Sequence, residues 1–413
     1  MDHTSTIGGL PEIPDAPHEI ASDQHHARTL LFLSVACGIA VSNVYYCQPL
    51  LLQMAESLHA SSSAMGAVVV ATQIGYACGI LAFAPLGDAT ERRRLMTIMF
   101  ICASGAALAI AFATNLVELL LASIVLGMGA SVTHVAVPVA PEVAPEGNSG
   151  RAVGTVMTGV LLGILLARTF SGVLGQWVGW KNVFRTASLL DLLFAIVLFR
   201  YLPRLHPKRP VAYGQALRSL GGFFLQSSVL RNSVLVGGLS MAAFSALWTT
   251  LVFLLGSPHF RFGPGVAGAF GLLGAAGALI APFAGRTADR KGSSVLLAWA
   301  LALQALGFGL LWLAGYQLVG LAVGIVVFDA GLQAAQIANQ TRIFGIDPHA
   351  RGRINTVYMT GYFGFGALGS AAGAFAWQHA SWSGVCALGL ALIALAAVSH
   401  GAEISTQRRK FPV

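Results

Sequence analysis

Stretches of about twenty mostly apolar residues, the length that crosses a bilayer as a helix, recur along almost the whole chain. Twelve can be marked: 29–51, 64–85, 95–113, 116–140, 151–175, 183–202, 231–255, 264–284, 295–314, 317–341, 353–376 and 381–400. Of the 413 residues, 56% are hydrophobic and only 10% charged, too few charges to coat a soluble protein of this size. The expectation is an all-α integral membrane protein with twelve transmembrane helices, lipid being the solvent for most of it.

The remaining segments are short. Residues 1–28 are polar and proline-punctuated (Pro11, Pro14, Pro17) and lack a basic n-region and cleavage site, so a disordered tail is expected there. Residues 203–230 are rich in proline and basic residues and read as a linker between six spans and six, with an amphipathic segment near Tyr213–Leu225. Residues 401–413 form a second tail. The five cysteines lie in apolar stretches with no metal-ligand or redox spacing, so no metal and no cofactor is expected.

The net charge of +8 has an address. Of the 24 Lys and Arg residues, 20 fall in one set of connections: Arg28, the 92–94 run, Arg151, the linker with Arg200 and Arg231 at its ends, the 286–291 and 342–353 turns, and the 408–410 run. The opposite connections hold Lys181, Arg185 and Arg261, and Arg168 lies within a span. Cytoplasmic connections carry the excess of Lys and Arg, so both termini and the linker are expected in the cytoplasm. The charge is therefore a topology signal, and no nucleic-acid partner is expected.

The two halves repeat each other. Ala84-Pro-Leu-Gly-Asp88-Ala-Thr-Glu91-Arg92-Arg93-Arg94 follows the second span, and Gly285-Arg-Thr-Ala-Asp289-Arg290-Lys291-Gly292 follows the eighth. The aspartates are 201 residues apart; Gly150-Arg151 and Gly352-Arg353, each opening a glycine-rich span, are 202 apart. Two landmarks at one offset indicate a parallel repeat of six helices.

These residues resemble the major facilitator superfamily, whose turn between spans two and three reads roughly G-x-x-x-D-R-x-G-R. The likeness covers residues 29–400. The second turn matches at Gly285, Asp289, Arg290 and Gly292; the first has Ala84, Ala89 and Glu91 where Gly, Arg and Gly are usual, a departure expected to weaken it as a hinge. Asn43-Val-Tyr45-Tyr46-Cys-Gln48-Pro49, Gly163-Ile-Leu-Leu-Ala-Arg168-Thr and Gln336-Ile-Ala-Asn339-Gln340 resemble the bacterial efflux permeases that include sugar-efflux and drug:proton antiporter-like members. The resemblance implies two six-helix bundles, a monomer in the inner membrane, and spans one, four, seven and ten around a central cavity. It also implies that spans two, five, eight and eleven meet between the halves, so that the small-residue faces of spans two (Gly75, Gly79), five (Gly154, Gly159, Gly163) and eleven (Gly361, Gly364, Gly366, Gly369, Gly373) would serve as rocking surfaces, with static packing as the alternative.

Ionisable residues inside a span are costly and so mark candidate function. Asp329 opens a polar stripe with Gln333, Gln336 and Gln340 at spacings of 4, 7 and 11, within a narrow arc of one helix face. It is the preferred proton-coupling residue, with Asp191 second, and permanent pairing with an arginine is the competing role. Arg168 could hold an anionic group or pair with an acid. Span four offers Ser123, Gly127, Ser131 and His134 on one face, with Ser123 where proton antiporters of the family carry arginine. Asn43, Tyr45, Tyr46 and Gln48 add uncharged donors and rings, and Asn339 another amide. Asp88, Arg92, Arg93, Gly285, Asp289, Arg290, Gly292, Arg151 and Arg353 are the candidates for conformational gating.

The function expected is proton-coupled efflux of a small organic molecule by alternating access, the proton gradient supplying the drive. The lining glutamines and tyrosines suit a neutral or amphipathic solute. An importer or uncoupled facilitator on the same fold is the alternative. A membrane-embedded enzyme would need clustered nucleophiles or metal ligands, which are absent from the pattern, and a transporter-like receptor would usually append a sizeable soluble domain.

Overall fold

The computed structural model describes residues 16–144, 148–207 and 211–410. Lipid offers no hydrogen bonds, so a chain crossing it satisfies its backbone within each segment. Accordingly the described residues form helices: α1 (Ala16–Ser42), α2 (Leu51–Ser57), α3 (Ser62–Gly87), α4 (Arg92–Phe112), α5 (Leu116–Ala130), α6 (Thr133–Ala136), α7 (Ala140–Val143), α8 (Ser149–Val178), α9 (Trp180–Tyr201), α10 (Tyr213–Gln226), α11 (Ser228–Leu255), α12 (Pro264–Ala269), α13 (Ala275–Lys291), α14 (Ser293–Ala314), α15 (Leu318–Phe344) and α16 (Arg351–Lys410). The last contains non-helical backbone at Ala380 and Ser381, where two helices join across a kink. Among the described residues, nine helices are long and apolar enough to cross a membrane. Helix α1 begins well before Thr29, so residues 16–28, expected as disordered tail, are helical. Residues 1–15, and Lys208 and Arg209 of the linker, lie outside the described residues.

Packing follows the repeat. In the first half α1 lies along α8, α3 along α5, and α4 along α5 and α9; in the second, α11 lies along α16 and α15 along α13 and α14. The halves meet along two seams, α3 against α16 and α8 against α12.

Gly75, Gly79, Gly159, Gly163, Gly369 and Gly373 hold each half together, whereas Gly66 and Gly366 lie at the α3–α16 seam, where a Cβ would meet Ala374 Cβ at 2.7 Å and Gln73 Oε1 at 3.2 Å. A Cβ on Gly159 would sit 2.0 Å from the carbonyl oxygen of Ser34 on α1, one on Gly75 2.0 Å from that of Ile124 on α5, and one on Gly369 2.1 Å from that of Ala242 on α11. Each approach joins helices of one half, so for these six glycines the expectation of rocking surfaces is corrected to static packing within a half. Small residues replace the hydrophobic drive that lipid removes, by letting backbones touch. Gly172 of α8 and Gly268 of α12 are the close pair at a seam: a Cβ on Gly268 would lie 3.0 Å from Gly172 Cα.

The turn between α3 and α4 is the more heavily wired of the two repeated turns. Arg92, buried, donates to Glu142 Oε1 at 2.8 Å and to the Gly87 carbonyl at 2.9 Å, and lies 3.6 Å from Asp88. Burial pushes the Asp88 carboxyl up, opposed by the charges of Arg92 and of Arg353 across the seam. Glu91 caps α4 by accepting from the amides of Arg93 and Arg94, and from Leu205 in the linker at 3.0 Å. Partial burial opposes its charge, but these backbone donors and Arg93 outweigh it and hold the carboxyl below the usual range. By contrast Asp289 and Arg290 are exposed, and no ion pair forms at that turn among the described residues. The motif departure at Glu91 therefore does not loosen the first turn; the side chain that replaces glycine ties the linker to it.

Replacing Glu91 with Ala removes an N-cap and the linker contact together, and should lower stability by about 1–2 kcal/mol. Thermal unfolding of purified protein, with exposed Arg94→Ala as control, should show a lower midpoint for Glu91→Ala; unchanged midpoints would show that the clamp contributes nothing. The stabilisation from this charge is present at neutral pH and lost as pH falls through the depressed carboxyl value.

Candidate functional site

Between the halves lies a cavity of about 400 Å³. Three local breaks in helices shape it. The α1 helix stops at Ser42, and residues 43–47 turn through i→i+3 bonds such as Tyr45 N to the Ser42 carbonyl at 2.9 Å before Pro49 starts a short 3-10 turn. This presents the Tyr45 ring to the cavity. The break after α5, over Ser131 and Val132, brings Thr133 and His134 to the wall. A 3-10 segment, Phe270–Gly274, interrupts the helix between α12 and α13. There a Cβ on Gly271 would lie 2.8 Å from Arg168 Cβ, and one on Gly274 3.4 Å from Asp329 Oδ2. Breaks of this kind are tolerated in a membrane where they line a cavity.

One face of α8 runs along the cavity from Val153 through Met157, Leu161 and Leu165 to Arg168. Opposite it α15 contributes Asp329, Gln333, Gln336 and Gln340, and α16 contributes Asn355, Thr356, Met359, Tyr362 and Phe363. The lining extends to Phe344 and to Gly352, which is exposed. At the other end the Gly172–Gly268 contact closes the space, helped by Thr169 Oγ1 donating to the Gly268 carbonyl at 3.0 Å.

Arg168 stands at that closed end with 2% of its surface exposed. Its Nε donates to Gln48 Oε1 at 2.6 Å, while Nη2 has no hydrogen-bond partner. The guanidinium lies over the rings of Tyr45 (4.4 Å) and Trp248 (4.2 Å), with Phe244 at 5.6 Å. A desolvated cation gains roughly 2 kcal/mol from a ring face, whereas burying an ion costs several kcal/mol. The rings alone leave the charge short of compensation. Asp329, 7% exposed, interacts electrostatically with Arg168, and its Oδ1 also lacks a partner. The indole of Trp248 is beside the carboxylate without closing a hydrogen bond of ordinary geometry. The ion pairs among the described residues join Arg92 to Asp88 and Glu142, and Arg342 to Glu403; none joins Arg168 to Asp329.

Of the candidates read from sequence, the cavity gathers Tyr45, His134, Arg168, Asp329, Gln333, Gln336 and Gln340. Others are placed elsewhere. Asn43 is committed to Asp191, donating to both carboxylate oxygens at 3.1 and 3.0 Å, and this buried pair joins the turn after α1 to α9 outside the cavity. Gln48 acts on Arg168 from behind. Ser131 returns its hydroxyl to the Met128 carbonyl, Tyr46 packs on Phe170, and Asn339 is fully buried off the stripe. Of the gating candidates, Arg353 lies over the Phe223 ring of α10, and Arg151 is exposed. The sequence reading missed the aromatic ledge of Tyr76 and Phe363, whose rings meet edge-on at 4.5 Å, and the Trp248 plate under Arg168. Nothing in an apolar stretch distinguishes a cavity ring from a lipid-facing or packed one.

A sequence model of the Major Facilitator Superfamily matches residues 30–370. The chain is 43% identical over 366 residues to the uncharacterized transporter YgaY of Escherichia coli O157:H7, covering 89% of this chain and 93% of that one. It is 34% identical over 371 residues to the probable transporter SCO4007 of Streptomyces coelicolor, covering 89% and 86%. A crystal structure of a bacterial homologue of the human lysosomal transporter Spinster, inward-facing and unoccupied, superposes with a TM-score of 0.72 at 16% identity, over 91% of this chain and 96% of that one. At that identity the likeness is one of fold. The family and these relatives are transporters rather than enzymes, and the chain belongs to the major facilitator superfamily as a multi-pass membrane protein.

Proposed function

We propose that this chain is a secondary transporter that couples passage of a small organic molecule to proton movement by alternating access. The observation that carries this reading is the buried, unjoined pair of opposite charges, Arg168 and Asp329, on opposite halves of one cavity. A carboxylate left without a fixed partner between two movable halves is placed to exchange a proton as the site is exposed to each side in turn. Export is the direction that the likeness to efflux permeases supports, with import on the same fold as its competitor.

Twelve spans are proposed by adding three to the nine long apolar helices: the shorter apolar helices His26–Ser42 and Pro264–Gly274 with their continuations, and a second helix from the kink in α16 at Ala380–Ser381. With twelve spans both termini share a side, and the one-sided distribution of Lys and Arg assigns that side to the cytoplasm of a bacterial inner membrane. The cavity reaches exposed Gly352, beside the proposed cytoplasmic turns, and is shut at Gly172–Gly268. The state is accordingly read as inward-facing.

Purified protein in liposomes holding a pH-sensitive dye should show proton movement on addition of an accepted solute from a panel of sugars, nucleosides, amino acids, lipophilic cations and organic acids. Asp329→Asn should reduce that movement to the level of empty liposomes. The sign of the signal separates antiport from symport. Solute movement without proton flux, unchanged in the variant, would leave an uncoupled facilitator.

The seam itself can be tested. A Cβ on Gly265 would lie 4.0 Å from Cβ of Gln176, within the span of a disulfide. Oxidising the double variant Gln176→Cys/Gly265→Cys should lock this end shut and stop transport, and dithiothreitol should restore it. Each single variant serves as control. Continued transport with the disulfide formed would remove this seam from the cycle.

A further inference from the structure

We propose that Arg168 is the recognition residue for a carboxylate, and that the cargo is an organic anion with an aromatic or branched apolar body. The inference deepens the transporter reading and rests on it.

Four observations converge. Nη2 of Arg168 is buried without a partner, while Nε is held by Gln48 at 2.6 Å and the guanidinium plane is fixed against Tyr45 and Trp248. With Nη1 also donating to the Ile164 carbonyl at 3.4 Å, the fork is oriented and both N–H groups of Nη2 are left over. The residue lines the cavity at its closed end, so a ligand entering from the Gly352 end meets it last. A guanidinium on a rigid support recognises a planar carboxylate through charge-assisted hydrogen bonds, the strong class. Gln48 holds the cation in place by accepting from Nε, and its own Nε2 is a second buried donor without a partner.

The remaining wall sets the body of the cargo. Between Arg168 and the cavity mouth one side is apolar α8, and the facing ledge is aromatic, Tyr76 against Phe363. The amides of Gln333, Gln336 and Gln340 line the cavity toward Phe344, farther from the arginine along α15. A sugar would present hydroxyls to the apolar wall with few partners, and a cation would meet the like charge of Arg168 at the closed end. The neutral solute suggested by the glutamines and tyrosines of the sequence gives way to an anion because the deepest polar group is a cation with a free donor. The volume of about 400 Å³ lies in the range of small-molecule sites. Asp329, Tyr45 and Cys47 are the titratable groups that interact with this charge, and Tyr362 interacts with Tyr45 and Asp329 beside it.

The test is binding to the full-length protein in detergent, by calorimetry, with three probes of one shape: 4-phenylbutyrate, its neutral amide and 4-phenylbutylamine, each at one pH. The carboxylate should bind about tenfold or more tighter than the amide, the size of one charge-assisted hydrogen bond; the amine should bind weakest. Arg168→Gln should bring carboxylate and amide to equal affinity, and Arg168→Lys should retain part of the preference. Amide binding by the Gln variant, together with a monodisperse elution profile, shows that it is folded. Equal binding of carboxylate and amide by the wild type, a preference that survives in Arg168→Gln, or no binding of any carboxylate would each overturn the proposal. Because binding is read without transport or a proton signal, its failure is separable from failure of the coupling reading, which stands on the Asp329→Asn flux.

Discussion

The constraint on which this structure depends is the absence of water along most of the chain. Every backbone amide and carbonyl at membrane depth needs a partner in the protein, and an unmet one costs several kcal/mol. Long helices meet that demand, and the described residues comply almost throughout. The exceptions carry the information. The interruptions after Ser42, after Ala130 and over Phe270–Gly274 fall beside Tyr45, His134 and the Arg168–Asp329 pair. Irregular backbone concentrates at the cavity because the cavity is where other groups can share the burden. Each interruption also turns a side chain inward that an unbroken helix would carry elsewhere.

A second consequence of missing water concerns how helices adhere. Apolar side chains gain nothing by leaving lipid for protein, so contacts rely on close backbone approach and a few polar links. The glycine approaches of α8 to α1, α3 to α5 and α16 to α11 build each half as a unit. The seams add side-chain hydrogen bonds to their own close approach at Gly172–Gly268: Gln73 donates to Ser245 at 3.1 Å with Ser370 nearby, and Thr169 reaches the Gly268 carbonyl. Single hydrogen bonds of about 1 kcal/mol can exchange partners in a way that backbone-tight packing cannot.

Much of this was legible in the residues themselves. The polar stripe of α15 could be found because a helix repeats its face every three to four residues and polar side chains stand out against an apolar ground. The parallel repeat was legible because two pairs of landmarks shared one offset. Tyr76 and Phe363 on the cavity wall, and Trp248 behind Arg168, were illegible for the opposite reason: such a ring and a ring in a packed helix look alike in sequence. Asn43 and Asp191 were legible as polar and out of place, but their pairing across 148 residues depends on the packing of α1 on α9. The glycines were assigned to the seams between halves because small residues announce close contact without naming the partner. Glu91 was read as a defect in a turn motif; its carboxylate proved to hold both the helix start and the linker, a role that needs the position of Leu205 to be seen.

Arg168 and Asp329 belong to opposite halves, one charge of each sign. In a carrier that rocks about this seam, the two charges move as a dipole and their contributions to charge displacement largely cancel. An empty site of this kind gives the membrane potential little hold on its return, although the field exerts about 2.3 kcal/mol per charge per 100 mV. Voltage then acts on what is bound. An anion alone makes the loaded site feel the field, and an anion accompanied by a proton makes it blind again. If the proposed coupling holds, the electrical signature of the cycle is written by the cargo and its proton, not by the protein that carries them.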